Sequence, residues 1–307
     1  MISLNDDRAF EPFCYGVIDD TFVVSSESCS HKRLGGHIRR EYDGAEMTIC
    51  SSNGIETKRL REEITIPDIF QAVYFGHVSS MFRGKEILQI RRELGLALVN
   101  HYKHSRADIV VPNPDSGWGV SIGIAEGLGK PLLPAVIKNP QAVRTFQEGD
   151  SSRKKEVGLK FSGIESLIKG KNIAMGDDSI VRGSVSEGGS VWCVYNCGAK
   201  YLEFWVSYGP MIFPSFKSWY KGRHSLEELA VQRAFKDNSP YGKPLEEINS
   251  AVAKMIKVDE VRYNTKEAIE KVTGCGSFQA LDASYPILES FWPDWLKIEV
   301  EKFKKTN

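Results

Sequence analysis

The sequence has no excess charge of either sign, no long apolar run and no paired-cysteine motif. Its 40 Lys and Arg residues are balanced by 40 Asp and Glu residues, so no overall field draws the chain to nucleic acid or to anionic lipid. No stretch approaches the roughly 18 apolar residues of a membrane-spanning helix, and the opening MISLNDDRAF lacks the basic and apolar regions of a signal peptide. We therefore expect a soluble, cytoplasmic protein that binds neither nucleic acid nor membrane.

Cysteine and histidine are both sparse, and neither forms a ligand motif. The six cysteines are scattered and include no CxxC pair, which indicates neither a zinc site nor a disulfide framework. Cys193 and Cys197 have the spacing that places two side chains on one helix face. Because a metal would need two further ligands, we expect these thiols to pack in a core. The six histidines show no metal-ligand spacing, and we assign them no role.

The chain has two successive patterns of secondary structure. With 307 residues, of which 41% are hydrophobic, it can bury one large core or two smaller ones. Up to about residue 75 it reads as short strands separated by turns, with Asn53-Gly54 as a hairpin signal. From residue 108 strands alternate with helices, which indicates a parallel sheet flanked by helices. Beyond residue 222 the pattern is helical. We therefore divide the chain into a β-rich domain at 1–75, an α/β domain at 76–222 and a helical segment at 223–307.

Seven short apolar segments are predicted as strands, and helices are expected at about 85–100 and 119–129. Thr265 has the N-cap chemistry of a later helix start, and 288–305 reads as an amphipathic helix. The predicted strands are Phe22–Val24, Glu46–Ile49, Ala72–Phe75, Asp108–Pro112, Leu132–Ile137, Lys171–Gly176 and Tyr201–Tyr208.

Segment 172–184, NIAMGDDSIVRGS, combines an apolar strand, two adjacent carboxylates and a loop of Gly and hydroxyl residues. Asp177 and Asp178 fall at the strand tip, where carboxylates can bind vicinal ribose hydroxyls or a Mg²⁺ ion, which prefers oxygen ligands. The loop that follows offers backbone N–H groups, hydroxyls and a helix N-terminus to a phosphate group. An acidic helix entry capped by Ser is the alternative reading. The candidate phosphate ligands are Ser179, Arg182, Gly183, Ser184 and Ser186.

Segment 112–117, PNPDSG, places Asp115, Ser116 and Gly117 after another predicted strand and before a helix. A glycine there lets the backbone approach an anion closely, and the helix N-terminus favours negative charge, so pyrophosphate would fit. A turn or a helix cap is the alternative. The following GWGVSIG is not a dinucleotide fingerprint, because its third Gly comes one position late.

Residues 138–160 form a polar connection that is too long for an ordinary loop. Such segments are either functional lids or disordered. This one carries Lys138, Arg144, Arg153 and Lys160, which could close over phosphate oxygens, Arg as a bidentate fork and Lys as a point charge. Taken singly, such residues are usually solvated surface charges. Their order along the chain, between the two loops described above, favours a phosphate site.

Taken together, the three segments resemble the transferase domain of glutamine phosphoribosylpyrophosphate amidotransferases, which begin purine synthesis. PNPDSG resembles the family's pyrophosphate loop, IKNPQAVRTF with Arg153 and Lys160 resembles its flexible catalytic loop, and GDDSIVRGS resembles its phosphoribosyl loop. The resemblance runs along nearly the whole chain. It implies a type I phosphoribosyltransferase fold, an α/β parallel sheet flanked by helices. It also implies that residues 1–75 are a β-rich remnant of an Ntn-type glutaminase domain.

For the site, the resemblance implies Mg²⁺-dependent transfer from phosphoribosylpyrophosphate (PRPP). Asp177 and Asp178 would bind the ribose and the Mg²⁺ ion, and Arg144, Arg153 and Lys160 would join them in catalysis. A homo-oligomer is also implied. The implied substrate-binding residues are Asp115, Ser116, Gly117, Lys138, Ser179, Arg182, Gly183, Ser184 and Ser186.

Departures from the family pattern shape the functional hypothesis. The family's mature glutaminase begins with a nucleophilic Cys, whereas this sequence begins MISL, so we do not expect it to hydrolyse glutamine. Asp68 and Ser215 stand at positions that match iron–sulfur cysteines of some members, so we expect no iron–sulfur cluster. Gln141 and Val143 replace a Tyr and a Gly of the flexible loop, and Val185 replaces a Thr of the phosphate loop.

We therefore expect a phosphoribosyltransferase that converts PRPP and ammonia to phosphoribosylamine and pyrophosphate. The ammonia would be free or would come from a separate glutaminase subunit. The altered loops keep two alternatives open. One is a transferase for another amine or a nucleobase, and the other is a non-catalytic, PRPP-binding regulatory subunit.

Overall fold

The computed structural model describes residues 1–62, 65, 67–139, 160–183, 189–212, 228–236, 239–275, 297, 298 and 301. It divides the chain into two compact units. The first comprises Met1–Ile90 with Glu270–Ile287, and the second comprises Arg91–Ile269 with Leu288–Asn307. The sequence-based domain limits at 1–75, 76–222 and 223–307 remain a prediction. No helix in the described part of the chain is both long and apolar enough to cross a membrane.

The first unit is built from antiparallel strands. One three-stranded sheet has the order β1-β5-β6, a second has the order β3-β2-β4, and β7 pairs with β8. The predicted hairpin at Asn53-Gly54 is confirmed, because β5 and β6 pair antiparallel from Glu46↔Arg59 to Ser51↔Gly54. Its elements are β1 (Ile2–Leu4), β2 (Cys14–Ile18), β3 (Thr21–Ser25), α1 (Ser28–Arg33), β4 (His37–Glu41), β5 (Glu46–Ser51), β6 (Gly54–Arg59), β7 (Met81–Phe82) and β8 (Lys85–Glu86).

The strand predicted at Ala72–Phe75 is wrong, since Gln71–Phe75 forms a π-helical turn. The rings of Phe70, Tyr74 and Phe75 pack together with centroid separations of 5.2 to 5.7 Å. In a strand, Tyr74 and Phe75 would point to opposite faces. The helical turn lets both rings meet Phe70, so this aromatic cluster overrides the apolar run that read as a strand.

The second unit contains a four-stranded parallel sheet of order β14-β13-β12-β9. The α/β fold with a parallel sheet flanked by helices is therefore confirmed. Its strands bury side chains on both faces, as Val110 and Ala174 on one face and Val111 and Met175 on the other illustrate with 0% exposure. The elements are α2 (Ile87–Tyr102), β9 (Ile109–Pro112), α3 (Trp118–Leu128), β10 (Val136–Lys138), β11 (Phe161–Gly163), α4 (Glu165–Ile168), β12 (Asn172–Asp177), α5 (Ser190–Asn196), β13 (Tyr201–Val206), α6 (Ala230–Phe235), α7 (Leu245–Ile256), β14 (Glu260–Tyr263) and α8 (Lys266–Thr273). Two helices, α2 and α8, cross the limits of the units, because α2 begins and α8 ends in the first unit.

Two predicted segments of the second unit differ from the structure. Leu132–Ile137 does not add a strand to the parallel sheet. Leu132 makes a single bridge to Val110, and β10 pairs antiparallel with β11. Pro131 and Pro134 flank Leu132 and lack the N–H groups that a longer ladder needs.

The second difference is β14, which lies in the region predicted to be helical. This strand is only four residues long, and it ends in the buried, β-favouring sequence Val-Arg-Tyr. The helices α7 and α8 on either side dominate the periodicity of the region. The helix start predicted at Thr265 is confirmed, because its Oγ1 accepts a hydrogen bond of 3.1 Å from the Ala268 N–H group.

Candidate functional site at the carboxyl edge of the parallel sheet

Parallel pairing of β9 with β12 places the loops that follow these strands side by side. Pro112, the last residue of β9, is in register with Gly176 of β12. The Asn113 N–H group donates to the Gly176 carbonyl at 2.9 Å. The Gly117 N–H group donates to the Asn113 carbonyl, also at 2.9 Å, which closes the 113–117 loop directly before α3. The peptide bond between Pro114 and Asp115 in this loop is cis.

Gly117 is required where this loop touches β12. A Cβ atom at Gly117 would lie 2.0 Å from the Gly176 carbonyl oxygen and 2.7 Å from the Asn113 nitrogen. Backbone atoms on both sides leave no room for a side chain. The glycine therefore allows the 113–117 loop to lie against the strand that carries Asp177.

Asp177 is the most enclosed carboxylate at this edge, with 3% exposure. Its Oδ2 accepts a 2.6 Å hydrogen bond from Asn113 Nδ2. Its Oδ1 accepts from Ser116 Oγ at 3.0 Å and from the Asp178 N–H group at 2.9 Å. Burial, followed by the neighbouring charge of Asp178, raises the pKa of Asp177 well above its ordinary value. The carboxylate thus joins the 113–117 loop to the tip of β12.

Asp178 is held in a different way. Its Oδ1 accepts a 2.6 Å hydrogen bond from Ser179 Oγ, and its side chain is also within hydrogen-bonding reach of the Asp177 carboxyl. No N–H or hydroxyl group of the described residues donates to its Oδ2. Its backbone carbonyl accepts from the Tyr208 N–H group at 2.9 Å and from Ser207 Oγ at 3.1 Å. The segment after β13 therefore fixes the Asp178 backbone, while one carboxylate oxygen remains available.

The two ends of the predicted 138–160 lid lie together. The Asn139 N–H group donates to the Lys160 carbonyl at 2.8 Å, and Lys138 is paired in register with Phe161. Lys138 Nζ lies 2.8 Å from Asp115 Oδ2, so one end of the segment reaches the 113–117 loop. Lys160 Nζ lies 5.4 Å from the centre of the Phe161 ring.

The start of the predicted phosphate loop contains a glycine with a left-handed backbone. Gly183 has a φ of 70°, a left-handed conformation that favours glycine. Arg182 Nη2 donates to Glu228 Oε2 at 3.0 Å, so its guanidinium is engaged at the surface. The carbonyl groups of Val181 and Arg182 accept hydrogen bonds from the Ala230 N–H group and from Arg233 Nη1. Four predicted site residues lie outside the described residues: Arg144, Arg153, Ser184 and Ser186.

Cys193 and Cys197 lie in a packed setting. A Cβ atom at Gly163 would lie 3.1 Å from Cys193 Sγ and 2.5 Å from Cys197 Sγ, so the two thiols cover this glycine. Burial raises the pKa of Cys193 to about 11, and the neighbouring thiol of Cys197 adds to that shift. A protonated thiol is a poor metal ligand. Within the described residues, no group of three or more His, Cys, Asp or Glu side chains could hold a metal ion.

Sequence reasoning missed two residues of this site, Asn113 and Ser207. Asn113 lies between two prolines inside the PNPDSG motif, and a polar residue at a buried strand end was a usable signal. Ser207 follows β13, about thirty positions from Asp178, and nothing in its local sequence indicates that contact. The roles predicted for the individual site residues remain predictions.

The overall fold resembles that of solved PRPP amidotransferase structures. The solved structure of the Bacillus subtilis glutamine PRPP amidotransferase, complexed with ADP and GMP, superimposes with a TM-score of 0.77 at 26% sequence identity. The match covers 93% of this chain and 60% of that chain. A second structure, described as the allosteric regulatory enzyme of purine biosynthesis, gives the same TM-score. The type I phosphoribosyltransferase-like fold predicted from the sequence is confirmed.

Sequence relatives identify the class more closely. The amidophosphoribosyltransferase of Archaeoglobus fulgidus is 31% identical over 239 residues, which cover 75% of this chain and 52% of that protein. The corresponding protein of Synechococcus elongatus is 30% identical over 295 residues, which cover 92% of this chain and 56% of that protein. No protein-family model matches the chain. The chain is thus a homologue of the amidophosphoribosyltransferases, and it spans about half the length of the curated relatives it matches.

Proposed function

We propose that the carboxyl edge of the parallel sheet binds PRPP and that the chain transfers the phosphoribosyl group to ammonia, releasing pyrophosphate. The observation that carries this proposal is the side-by-side placement of the 113–117 loop and the Asp177-Asp178 tip, joined by hydrogen bonds from Asn113 and Ser116. Homology to amidophosphoribosyltransferases supports PRPP as the donor. In open α/β sheets, ligands bind outside the carboxyl ends of the strands.

The 113–117 loop is the proposed pyrophosphate site. This loop directly precedes α3, whose N-terminus favours an anion. Lys138, at 2.8 Å from Asp115, brings a cation to the loop. We place Lys160 and the predicted lid residues Arg144 and Arg153 as further cations over the departing group.

The segment after β12 is the proposed ribose 5-phosphate site. Asp178 has an oxygen free of protein donors within the described residues, which suits a ribose hydroxyl. Gly183 provides the turn at which Ser179, Arg182, Ser184 and Ser186 are predicted to surround the phosphate.

A Mg²⁺ ion fits Asp178 better than Asp177. Mg²⁺ usually takes one or two protein carboxylates and completes its shell with substrate phosphates and water. Both oxygens of Asp177 already accept hydrogen bonds from protein donors, whereas Asp178 has an oxygen available. When bound, the ion would offset the negative charge of the leaving pyrophosphate.

The chemical step forms a bond from the ammonia nitrogen to C1 of the ribose as the bond from C1 to the pyrophosphate oxygen breaks. The electron pair of the broken bond leaves with pyrophosphate, and the new ammonium group loses a proton. Since C1 becomes cationic during this step, the protein has to hold the donor, orient it and exclude water. Positioning by the two joined loops is therefore its main contribution. The ammonia would be free or supplied by a separate glutaminase subunit.

A ring-containing acceptor is the second candidate. Trp118 directly follows Gly117 and is 41% exposed, which leaves an aromatic face open next to the proposed pyrophosphate loop. Such a face suits stacking with a nucleobase or an aromatic amine.

The test measures pyrophosphate release from PRPP and Mg²⁺ with ammonium chloride, glutamine, a panel of amines and nucleobases, or no acceptor. We expect release with ammonium chloride and a loss of about 10²-fold in Asp178→Asn, the scale of removing one charge-stabilising group. Asp20→Asn, in the exposed turn between β2 and β3, is the matched control and should retain wild-type release.

Other outcomes would redirect the proposal. Activity only with a nucleobase or another amine would replace ammonia as the acceptor. PRPP binding without turnover for any acceptor would overturn the transferase proposal in favour of a regulatory subunit that binds PRPP.

A further inference from the structure

Asn113 contacts both loops of the site, through its backbone and through its side chain. Its backbone N–H group donates to the Gly176 carbonyl, and its own carbonyl accepts from the Gly117 N–H group, both at 2.9 Å. Its side-chain Nδ2 donates to Asp177 Oδ2 at 2.6 Å. The residue therefore bridges the 113–117 loop and β12 through both its backbone and its side chain.

The buried side-chain amide of Asn113 lowers the stability of the folded protein. The residue is 7% exposed, and its Oδ1 is buried with no hydrogen-bond partner among the described residues. A buried polar atom without a partner destabilises the folded state. An apolar side chain of similar size would fill the same space without that cost, so the contact to Asp177 accounts for the amide.

Other side chains of similar size would not make this contact. The Asn113 Nδ2 group donates to Asp177, whereas a Leu at this position has no donor and an ionised Asp would repel Asp177.

We propose that Asn113 is a positioning residue that holds Asp177, and with it the Asp178 backbone, in a fixed place relative to the 113–117 loop. This inference rests on the proposed transferase function. Asn113 itself need not touch the substrate. Its role is to keep the groups that bind ribose and pyrophosphate at the separation that departure of the leaving group requires.

Three variants test this role. Asn113→Leu removes the amide and keeps the volume. Asn113→Asp restores a donor only when the new carboxyl is protonated. Asn249→Leu is the matched control, because Asn249 is also 7% exposed and also donates from Nδ2, in its case to the Tyr102 hydroxyl at 2.8 Å, on α7 away from the loops. Thermal unfolding shows which variants remain folded.

We expect Asn113→Leu to lower kcat for pyrophosphate release by about tenfold or more, with a smaller change in KM for PRPP, as is typical of lost orientation. The kcat of Asn113→Asp relative to wild type should rise as pH falls, because the introduced carboxyl, once protonated, again donates to Asp177. Asn249→Leu should keep the wild-type kcat. A wild-type kcat in Asn113→Leu, or a pH-independent kcat ratio for Asn113→Asp, would overturn the inference.

A second readout does not depend on turnover. Carbon-13 NMR of the Asp177 carboxyl, assigned with Asp177→Asn, should show a higher pKa in Asn113→Leu than in wild type or in Asn249→Leu, because the donor to the ionised form is gone. Equal Asp177 pKa values would refute the contact. If the wild-type protein releases no pyrophosphate with any acceptor, the proposed function fails, whereas the NMR result still decides whether Asn113 holds Asp177.

Discussion

The two ends of the parallel sheet each bury a carboxylate, but they differ in whether one of the described residues pairs it with a cation. At the amino end, Glu203 of β13 has 0% exposure and lies 3.4 Å from Arg262 Nη2. It also accepts hydrogen bonds from Ser105 Oγ, the Arg106 N–H group and Trp205 Nε1, at 2.6, 2.7 and 3.1 Å. Glu203 thus has a cationic partner and a full set of donors within the protein.

Arg262 is equally well enclosed. It donates to Glu260 Oε2 from Nε at 2.9 Å and from Nη2 at 2.5 Å, and to the His104 carbonyl from Nη1. Its guanidinium also lies 4.4 Å from the Trp205 ring centre, a distance that permits cation–π attraction. At the amino end, the buried carboxylate and the buried guanidinium therefore both have partners within the protein.

At the carboxyl end, Asp177 has neutral donors, and none of the described residues supplies it with a cationic partner. Within the described residues, no Lys, Arg or His forms an ion pair with Asp177 or Asp178, and Lys138 is paired with the exposed Asp115. Burial and the charge of Asp178 accordingly raise the pKa of Asp177. A buried carboxylate without a cationic partner among the described residues is typical of a functional site, and it is this difference that distinguishes the two ends.

The largest effect on the free energy of unfolding is expected at the amino end of the sheet. Arg262→Met leaves Glu203 buried without its cation, which should lower the free energy of unfolding by about 3–5 kcal/mol. Urea denaturation at neutral pH measures the change. Arg92→Met is the control, because Arg92 pairs with Glu126 at the surface with both side chains well exposed, and it should cost less than about 1 kcal/mol. Equal costs for the two variants would mean that the amino end is not a compensated network.

At the carboxyl end of the sheet, replacing the buried carboxylate should have a smaller effect of opposite sign on the free energy of unfolding. Since the pKa of Asp177 is raised in the folded state, folding disfavours its ionised form. The resulting loss of stability is absent below the ordinary Asp pKa of about 3.9. It grows as pH rises toward the raised value and stays constant above it. Asp177→Asn cannot ionise, so it should be more stable than wild type at neutral pH.

Urea denaturation of Asp177→Asn and wild type at several pH values from about 4 to 8 follows this difference. The advantage of the variant should shrink toward the acid end of that range. Glu203→Gln is the counterpart and should be less stable than wild type at neutral pH, because it removes the partner of Arg262. A destabilised Asp177→Asn would show that Asp177 is compensated after all.

Much of this contrast could be predicted from the sequence, because the chemistry of the carboxyl end is local. Asp177 and Asp178 follow an apolar strand, and Asp115, Ser116 and Gly117 follow another, so parallel pairing alone brings the two segments together. The α/β alternation and the Asn53-Gly54 hairpin were predictable for the same reason. Each depends on a signal contained within a few residues.

The rest depends on contacts between distant segments. Neither the pairing of Glu203 with Arg262 nor the contact of Asn113 with Asp177 has a spacing that a sequence reveals. From the sequence, Asp177 and Asp178 are expected to have the same role. In the structure, Asp177 accepts three hydrogen bonds from protein donors, whereas Asp178 keeps an available oxygen. The turn at Gln71–Phe75 and the strand Glu260–Tyr263 were misjudged because tertiary packing overrides short local patterns.

The smallest effect on stability is expected at Lys138, which tests whether the carboxyl end supplies a cation to the ligand. Lys138 and Asp115 form an exposed pair, with 35% and 72% exposure of their side chains, so Lys138→Met should change the free energy of unfolding by less than about 1 kcal/mol.

The same substitution should weaken PRPP binding more clearly, because Lys138 brings a positive charge to the proposed pyrophosphate loop. Calorimetric titration with PRPP and Mg²⁺ should show weaker binding and a shallower dependence of the Kd on salt, because one charge that attracts the ligand is gone. Lys169→Met, which breaks a similarly exposed pair with Glu165, should leave both unchanged. If the two variants bind PRPP alike, the carboxyl end does not draw its compensating charge from Lys138, and the cations must come from elsewhere in the chain.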